Sequence, residues 1–275
     1  MRAHLLHILL TWLAMGVTAM AQEAAFSPAL DGICSLGNTR AIGCDAIRAR
    51  EIVDASDPQW SAIGRVNYAS GDLRSHCTGT LVSNRTVLTA AHCLWNATRK
   101  RWIPAESLQF VPGYQRGQGL ATSGVDSIIL APQIDTAAPR LRITPSHDWA
   151  LLILSEPLGN RFGTIRLFGG RLRASTQGTA LMPGYASLSP HVLRVAHDCD
   201  HPLPVSGQLL AACSAMPGDS GAPLLWVGTD GLGQTGTFLL GTTTAVSAAT
   251  APMTTRFAPW FRLRDAVETE ILMGN

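Results

Sequence analysis

Pro217-Gly218-Asp219-Ser220-Gly221-Ala222-Pro223 is the stretch on which the reading of this chain turns. It sets a serine hydroxyl beside glycines on a sharp backbone turn. A serine hydroxyl is a weak nucleophile at its own pKa and needs a base within hydrogen-bond reach. Glycines beside it let the backbone turn, so that N–H groups point at an oxygen that becomes anionic during acyl transfer. Gly218 and Ser220 are the natural donors for such an oxyanion hole.

Working outward, Leu88-Thr89-Ala90-Ala91-His92-Cys93 supplies a histidine, a side chain whose ordinary pKa lies near working pH. His147-Asp148-Trp149-Ala150-Leu151-Leu152 supplies a carboxylate at the head of an apolar run. A buried carboxylate fixes the imidazole tautomer and stabilises the imidazolium. Each motif is weak alone. GDSG recurs by chance, a lone histidine is more often a surface or satisfied core residue, and DWALL by itself is a buried strand with a polar start. Together, in the order His92, Asp148, Ser220, they resemble the three signatures of the chymotrypsin-like serine peptidases. That order separates them from subtilisins and α/β-hydrolases, and the serine context is not the G-x-S-x-G elbow of esterases. Trp60-Ser61-Ala62-Ile63-Gly64-Arg65-Val66 and Cys77-Thr78-Gly79-Thr80-Leu81-Val82 are similar in texture to bacterial trypsin-like and glutamyl-endopeptidase-like secreted enzymes. The resemblance runs from about Ile52 to the C-terminal helix.

The resemblance implies an all-β fold of two packed six-stranded antiparallel barrels with a C-terminal α-helix. It puts His92 and Asp148 in the first barrel and Ser220 in the second, as the triad of a serine endopeptidase working through an acyl-enzyme. It assigns Asp219 to an ion pair with the amine of a newly cut chain. Ile52-Val53 is similar to the start of such a chain, although Asp54 stands where glycine is usual. Arg48, Arg50 and Glu51 offer cut sites for an activating protease, as in a zymogen. Ser214, six residues before the serine, takes the floor of the substrate pocket, with Thr243, Thr244 and Val246 on its other wall. Ser214 is not an acid, which argues against Arg or Lys preference. Val246, where glycine is usual, implies a narrow pocket for a small apolar side chain, and Thr244 is in place to donate to Asp148. Two other function classes compete: a catalytically silent binding module on this fold, and an esterase. The intact set of three residues disfavours the first and the residue order the second.

The rest of the chain agrees with an all-β reading. Of 275 residues, 46% are hydrophobic and 15% charged, enough for one large domain or two small ones. The net charge of +2 has no Lys/Arg block behind it, so neither nucleic acid nor an anionic membrane is indicated as partner. The expected partner is a protein or peptide substrate. Short alternating runs read as strands: Ile63 to Tyr68, Cys77 to Leu81, Thr86 to Leu88, Ser107 to Val111, Val125 to Leu130 and Ala150 to Leu154. Gly163 to Leu167, Thr179 to Pro183, Gln208 to Cys213, Pro223 to Val227 and Phe238 to Thr244 continue the series. The 26 glycines and 16 prolines between them suit many turns better than a helical bundle. One helix is expected over Pro259 to Leu272, with Trp260, Leu263, Val267 and Ile271 on one face.

The N-terminus reads as an export signal over 1–21: Arg2, an apolar run from Leu5 to Val17, and the small-x-small pattern Ala19-Met20-Ala21. The run is shorter than the ~20 residues of a membrane span, so no integral membrane segment is expected after cleavage. Residues 22–51 read as a leader or pro-segment that packs weakly, 52–160 as the first barrel, and 161–275 as the second barrel plus helix. The destination is periplasmic or secreted. In an oxidising compartment six cysteines allow fifteen pairings. Their sequence-local grouping favours Cys34–Cys44, Cys77–Cys93 and Cys199–Cys213. Zinc at His76-Cys77 with His92-Cys93, or at His197-x-Cys199-x-His201, lacks the usual C-x₂-C spacing. Asp126, Asp135 and Glu156 form no dense calcium loop. No metal or cofactor is implied.

Overall fold

The structure is a computed structural model that describes residues 44–69, 74–247 and 254–274. A helix α1 (Cys44–Ala49) and a two-residue strand β1 (Glu51–Ile52) precede the first barrel. That barrel is built from β2 (Ile63–Ala69), β3 (Arg74–Leu81) and β4 (Thr86–Thr89). A short hairpin, β5 (Trp95–Asn96) and β6 (Arg101–Trp102), leads on to β7 (Leu108–Pro112), β8 (Ser123–Leu130) and β9 (Ala150–Leu154). The barrel closes in the order β2-β3-β4-β9-β8-β7, every neighbour antiparallel. The last strand, β9, is buried along its whole length between β4 and β8, which accounts for its unbroken apolar run.

A helical turn α2 (Gly159–Phe162) and the short β10 (Arg166–Leu167) connect to the second barrel. Its strands are β11 (Gly178–Gly184), β12 (Arg194–Val205), β13 (Gln208–Ala212), β14 (Pro223–Thr229), β15 (Thr235–Ser247) and β16 (Thr254–Pro259). The path β12-β11-β14-β15-β16-β13 returns to β12, so this barrel is also closed and antiparallel. Strand β1 pairs with β12, and β10 runs parallel to β15. The all-β expectation of two six-stranded barrels with a C-terminal helix holds.

Particular elements differ from the sequence reading. Strands β12 and β16 were not anticipated. Pro202, Pro204 and the charges of Arg194 and Asp200 break the alternation that would have marked β12. The expected strand Gly163 to Leu167 shrinks to two residues, because Gly163 takes a left-handed backbone (φ +82°) just after α2. The terminal helix α3 (Trp260–Leu272) starts after Pro259, its N-cap. Trp260, Leu263 and Val267 face inward, but Ile271 is half exposed and lies off the buried face.

One core fills the first barrel around Phe110, Leu88 and Leu151 and extends to Leu263 and Val267 of α3. A second, around Met182, Leu224, Phe257 and Phe168, receives Trp260, whose ring meets Phe168 edge-on at 5.3 Å. The described end of the leader does not pack weakly as expected. Cys44 and Ile47 are fully buried against Ala186 and Met216, and Arg50 is buried as well. The expected signal segment and Cys34 lie outside the described residues. Cys44 is in a disulfide whose other half also lies outside them. Cys77–Cys93 and Cys199–Cys213 are both formed, so these four sulfurs are not free as metal ligands. Among the described residues no helix is long and apolar enough to cross a membrane.

Candidate active site

Three loops meet where the barrels touch. His92 lies in the 3₁₀ turn Ala91–Leu94 that follows β4. Asp148 caps the 3₁₀ turn Pro145–His147 directly before β9. Ser220 precedes β14 in the second barrel. The Nδ1 atom of His92 is 2.7 Å from Oδ2 of Asp148, and its Nε2 is 2.8 Å from Oγ of Ser220. The backbone N–H of His92 donates to the other Asp148 oxygen at 2.9 Å. Both carboxylate oxygens are thus spent on one histidine, which fixes where its ring points. Asp148 itself is buried. The Cys77–Cys93 disulfide ties β3 to the residue after His92.

The loop around Ser220 is held by a second set of bonds. Gly218 sits at φ +90°, and a Cβ there would lie 2.3 Å from the Tyr185 carbonyl oxygen, so only glycine fits. Thr78, fully buried on β3, bridges the barrels. Its hydroxyl donates to Gly218 O at 2.8 Å and accepts from Tyr185 N–H at 3.1 Å, and its backbone N–H donates to Ser220 O at 2.9 Å. Nε2–H of His76 donates to the Tyr185 carbonyl at 2.8 Å. Burial is the main force holding the His76 pKa below its ordinary 6.5, and Arg65 adds to it. Among the described residues, no group accepts the N–H of Gly218 or of Ser220.

A cavity of about 390 Å³ opens beside Ser220. It is lined by Leu141, Ile143, Ala215, Met216, Thr243 and Val246, together with Thr244 and the His92–Asp148–Ser220 set. Three of the four expected pocket residues therefore reach it. Ser214 does not line it; it is buried, and its carbonyl accepts from Arg50. The Thr244 hydroxyl donates to Arg256 O at 3.1 Å rather than to Asp148, because strand β15 turns it toward β16.

In the uncut chain Asp219 is engaged by Arg50. Its carboxylate accepts from Arg50 Nη1 at 2.9 Å, Arg50 Nη2 at 3.0 Å and Met216 N–H at 3.0 Å. Ile52, the expected amine donor once the chain is cut, here lies within the continuous chain, paired with Arg194 at the sheet edge and half exposed. In the sequence Arg50 stands out only as a cut site. The signal that could have singled it out is chemical: an aspartate buried beside the serine needs a cation.

The family model described as Trypsin matches residues 50–266. The chain belongs to the trypsin family. It is 28% identical over 203 residues to Serine protease 23 of Rattus norvegicus, an alignment covering 64% of this chain and 51% of that protein. The chain thus spans about half the length of that curated relative. Among solved structures it resembles the protease Anisep of Arthrobacter nicotinovorans, with a TM-score of 0.54 and 18% identity. That match covers 76% of this chain and 96% of the other, and the likeness is one of fold. Family membership agrees with the frame of two closed barrels and with the meeting of His92, Asp148 and Ser220 between them.

Proposed function

We propose that this trypsin-family chain is an exported endopeptidase in which Ser220, His92 and Asp148 do the chemistry. The observation that carries the reading is the continuous line from Asp148 Oδ2 through the imidazole to Ser220 Oγ, at 2.7 and 2.8 Å. Nε2 of His92 takes the hydroxyl proton as Oγ adds to the peptide carbonyl carbon. The imidazolium that forms is stabilised by the buried Asp148. The carbonyl oxygen becomes anionic and is bound by the N–H groups of Gly218 and Ser220, which nothing else described here engages. His92 then gives the proton to the leaving amine, leaving an ester on Ser220. Water, deprotonated by the same imidazole, hydrolyses that ester.

The cavity beside Ser220 supports a preference for a modest apolar side chain before the cut bond. Its walls carry Ala215, Met216 and Val246, and among its lining residues the only acid is Asp148. An apolar pocket of this kind discriminates by about 1–3 kcal/mol per methylene that fails to fit. The disulfides support export to an oxidising compartment, periplasmic or extracellular.

The test is a Ser220→Ala variant assayed on a peptide library, beside wild type treated with a fluorophosphonate probe. Cleavage should vanish in the variant, and the probe should map to the peptide holding Ser220. Cleavage that survives in Ser220→Ala removes the proposal.

A further inference from the structure

The carboxylate of Asp219, the residue before Ser220, is sealed inside the protein. Its side chain is 0% exposed and that of Arg50 1%. The guanidinium forks onto both carboxylate oxygens, and one of its nitrogens also reaches Ser214 O. A planar fork on a carboxylate fixes direction as well as charge. Asp219 in turn takes the Met216 N–H, and its own N–H donates to Met216 O at 3.0 Å. The turn from Met216 to Ser220, with Gly218 at its apex, is therefore wound around the acid that Arg50 holds.

The residues before the barrels are built to deliver that guanidinium. Helix α1 buries Cys44 and Ile47 against Met216, Ala186 and Val246, on the back of the same turn. Nη1 of Arg194 donates to Arg48 O at 3.0 Å and to Arg50 O at 2.9 Å, so the backbone around Arg50 is clamped from β12. Strand β1 continues that clamp through Glu51 and Ile52. A protease cutting after Arg50 would need that side chain in its own pocket, yet here it is enclosed.

We infer that Arg50 is a positioning residue. Through Asp219 it holds the oxyanion turn in place of a chain-terminal amine, and the chain is competent with its 44–52 segment attached. The inference rests on the reading of Gly218 and Ser220 as oxyanion donors. A cut between Arg50 and Val53 would not create the active form. It would separate α1, which packs on the back of the turn, from the barrels and release the clamped backbone on which Arg50 sits.

The test uses the full secreted chain. Wild type is labelled with a fluorophosphonate, its disulfides are reduced, and intact masses are read. Label on chains that retain residues 44–52 is expected. Label confined to chains beginning at 51, 52 or 53 overturns the inference while leaving Ser220 as nucleophile. Label on no chain fails the peptidase reading and this inference together. Kinetics then separate positioning from folding. Loss of one oxyanion donor costs about 100-fold or more in kcat, so Arg50→Ala should fall by about that factor with KM moving far less. Methylguanidinium added to Arg50→Ala, or the Arg50→Lys change, should restore part of the kcat. A kcat for Arg50→Ala close to wild type overturns the role, as does a loss that neither rescue relieves. If Arg50→Ala does not fold, the mass of the labelled wild-type chain decides alone.

Discussion

Replacing Thr78 by valine keeps the shape of a side chain at the junction of the barrels and removes one oxygen. That oxygen donates to Gly218 O at 2.8 Å and accepts from Tyr185 N–H at 3.1 Å, and Thr78 is 0% exposed. Without it, a carbonyl and an N–H are left in a place water does not reach. A net hydrogen bond is worth about 1 kcal/mol and a stranded buried partner costs about 1–3 kcal/mol, so the change should destabilise by about 2–4 kcal/mol. For a domain of this size that is a fall in Tm of roughly 5–15 °C. The same strand carries its own control. Thr80 is equally buried, but among the described residues its hydroxyl has no partner. Thr80→Val removes a polar atom that already bears a desolvation cost, so it should be neutral or more stable by up to about 1 kcal/mol. Urea denaturation of both variants, two residues apart with the same atoms exchanged, measures the contrast. Equal stabilities would refute the claim that Thr78 holds the turn through its hydroxyl. Thr78→Val should also lose kcat more than it changes KM, because Gly218 O is one of its two partners.

The acid limb of stability should carry His76. Its folded pKa is held below 6.5, chiefly by burial and then by Arg65, with the Tyr185 carbonyl and Asp219 opposing and His191 adding slightly. The unfolded chain therefore binds a proton that the folded one refuses. This contribution is complete above pH 6.5 and is lost as pH falls from there, by at most about 1.4 kcal/mol per pH unit. His76→Gln, which can still donate to Tyr185 O, should flatten the stability-versus-pH curve below 6.5, and an unaltered slope would speak against it. Val246→Gly should widen the cavity beside Ser220 and raise kcat/KM for an aromatic residue relative to alanine at the cut bond by about 10-fold or more, as peptide profiling would show. A profile identical to wild type would mean that Val246 does not set the pocket's width.

Much of this molecule was legible in one dimension, and the reason is locality. Strand β9 reads as Ala150 to Leu154 because five consecutive side chains are buried, and the inner face of α3 reads as Trp260, Leu263 and Val267 because a helix repeats every 3.6 residues. The His92, Asp148 and Ser220 motifs were recognisable because each sits in a short turn whose local residues are dictated by its geometry. The sequence-local Cys77–Cys93 and Cys199–Cys213 pairs were readable for the same reason.

The remaining contacts join residues far apart in the chain. Arg50 meets Asp219 across 169 positions, and Thr78 meets Gly218 across 140. Neither pairing leaves a period or a spacing behind it, since the first depends on β1 docking against β12 and the second on how two closed barrels lean together. Thr244 turned to Arg256, and not to Asp148, through the pairing of β15 with β16. The amino acids alone point to the chemistry proposed for the cleft, because reacting groups must be of particular kinds. Which cation would hold the serine turn in place was settled by three-dimensional closure, because a buried carboxylate takes whatever positive group the fold brings within about 3 Å.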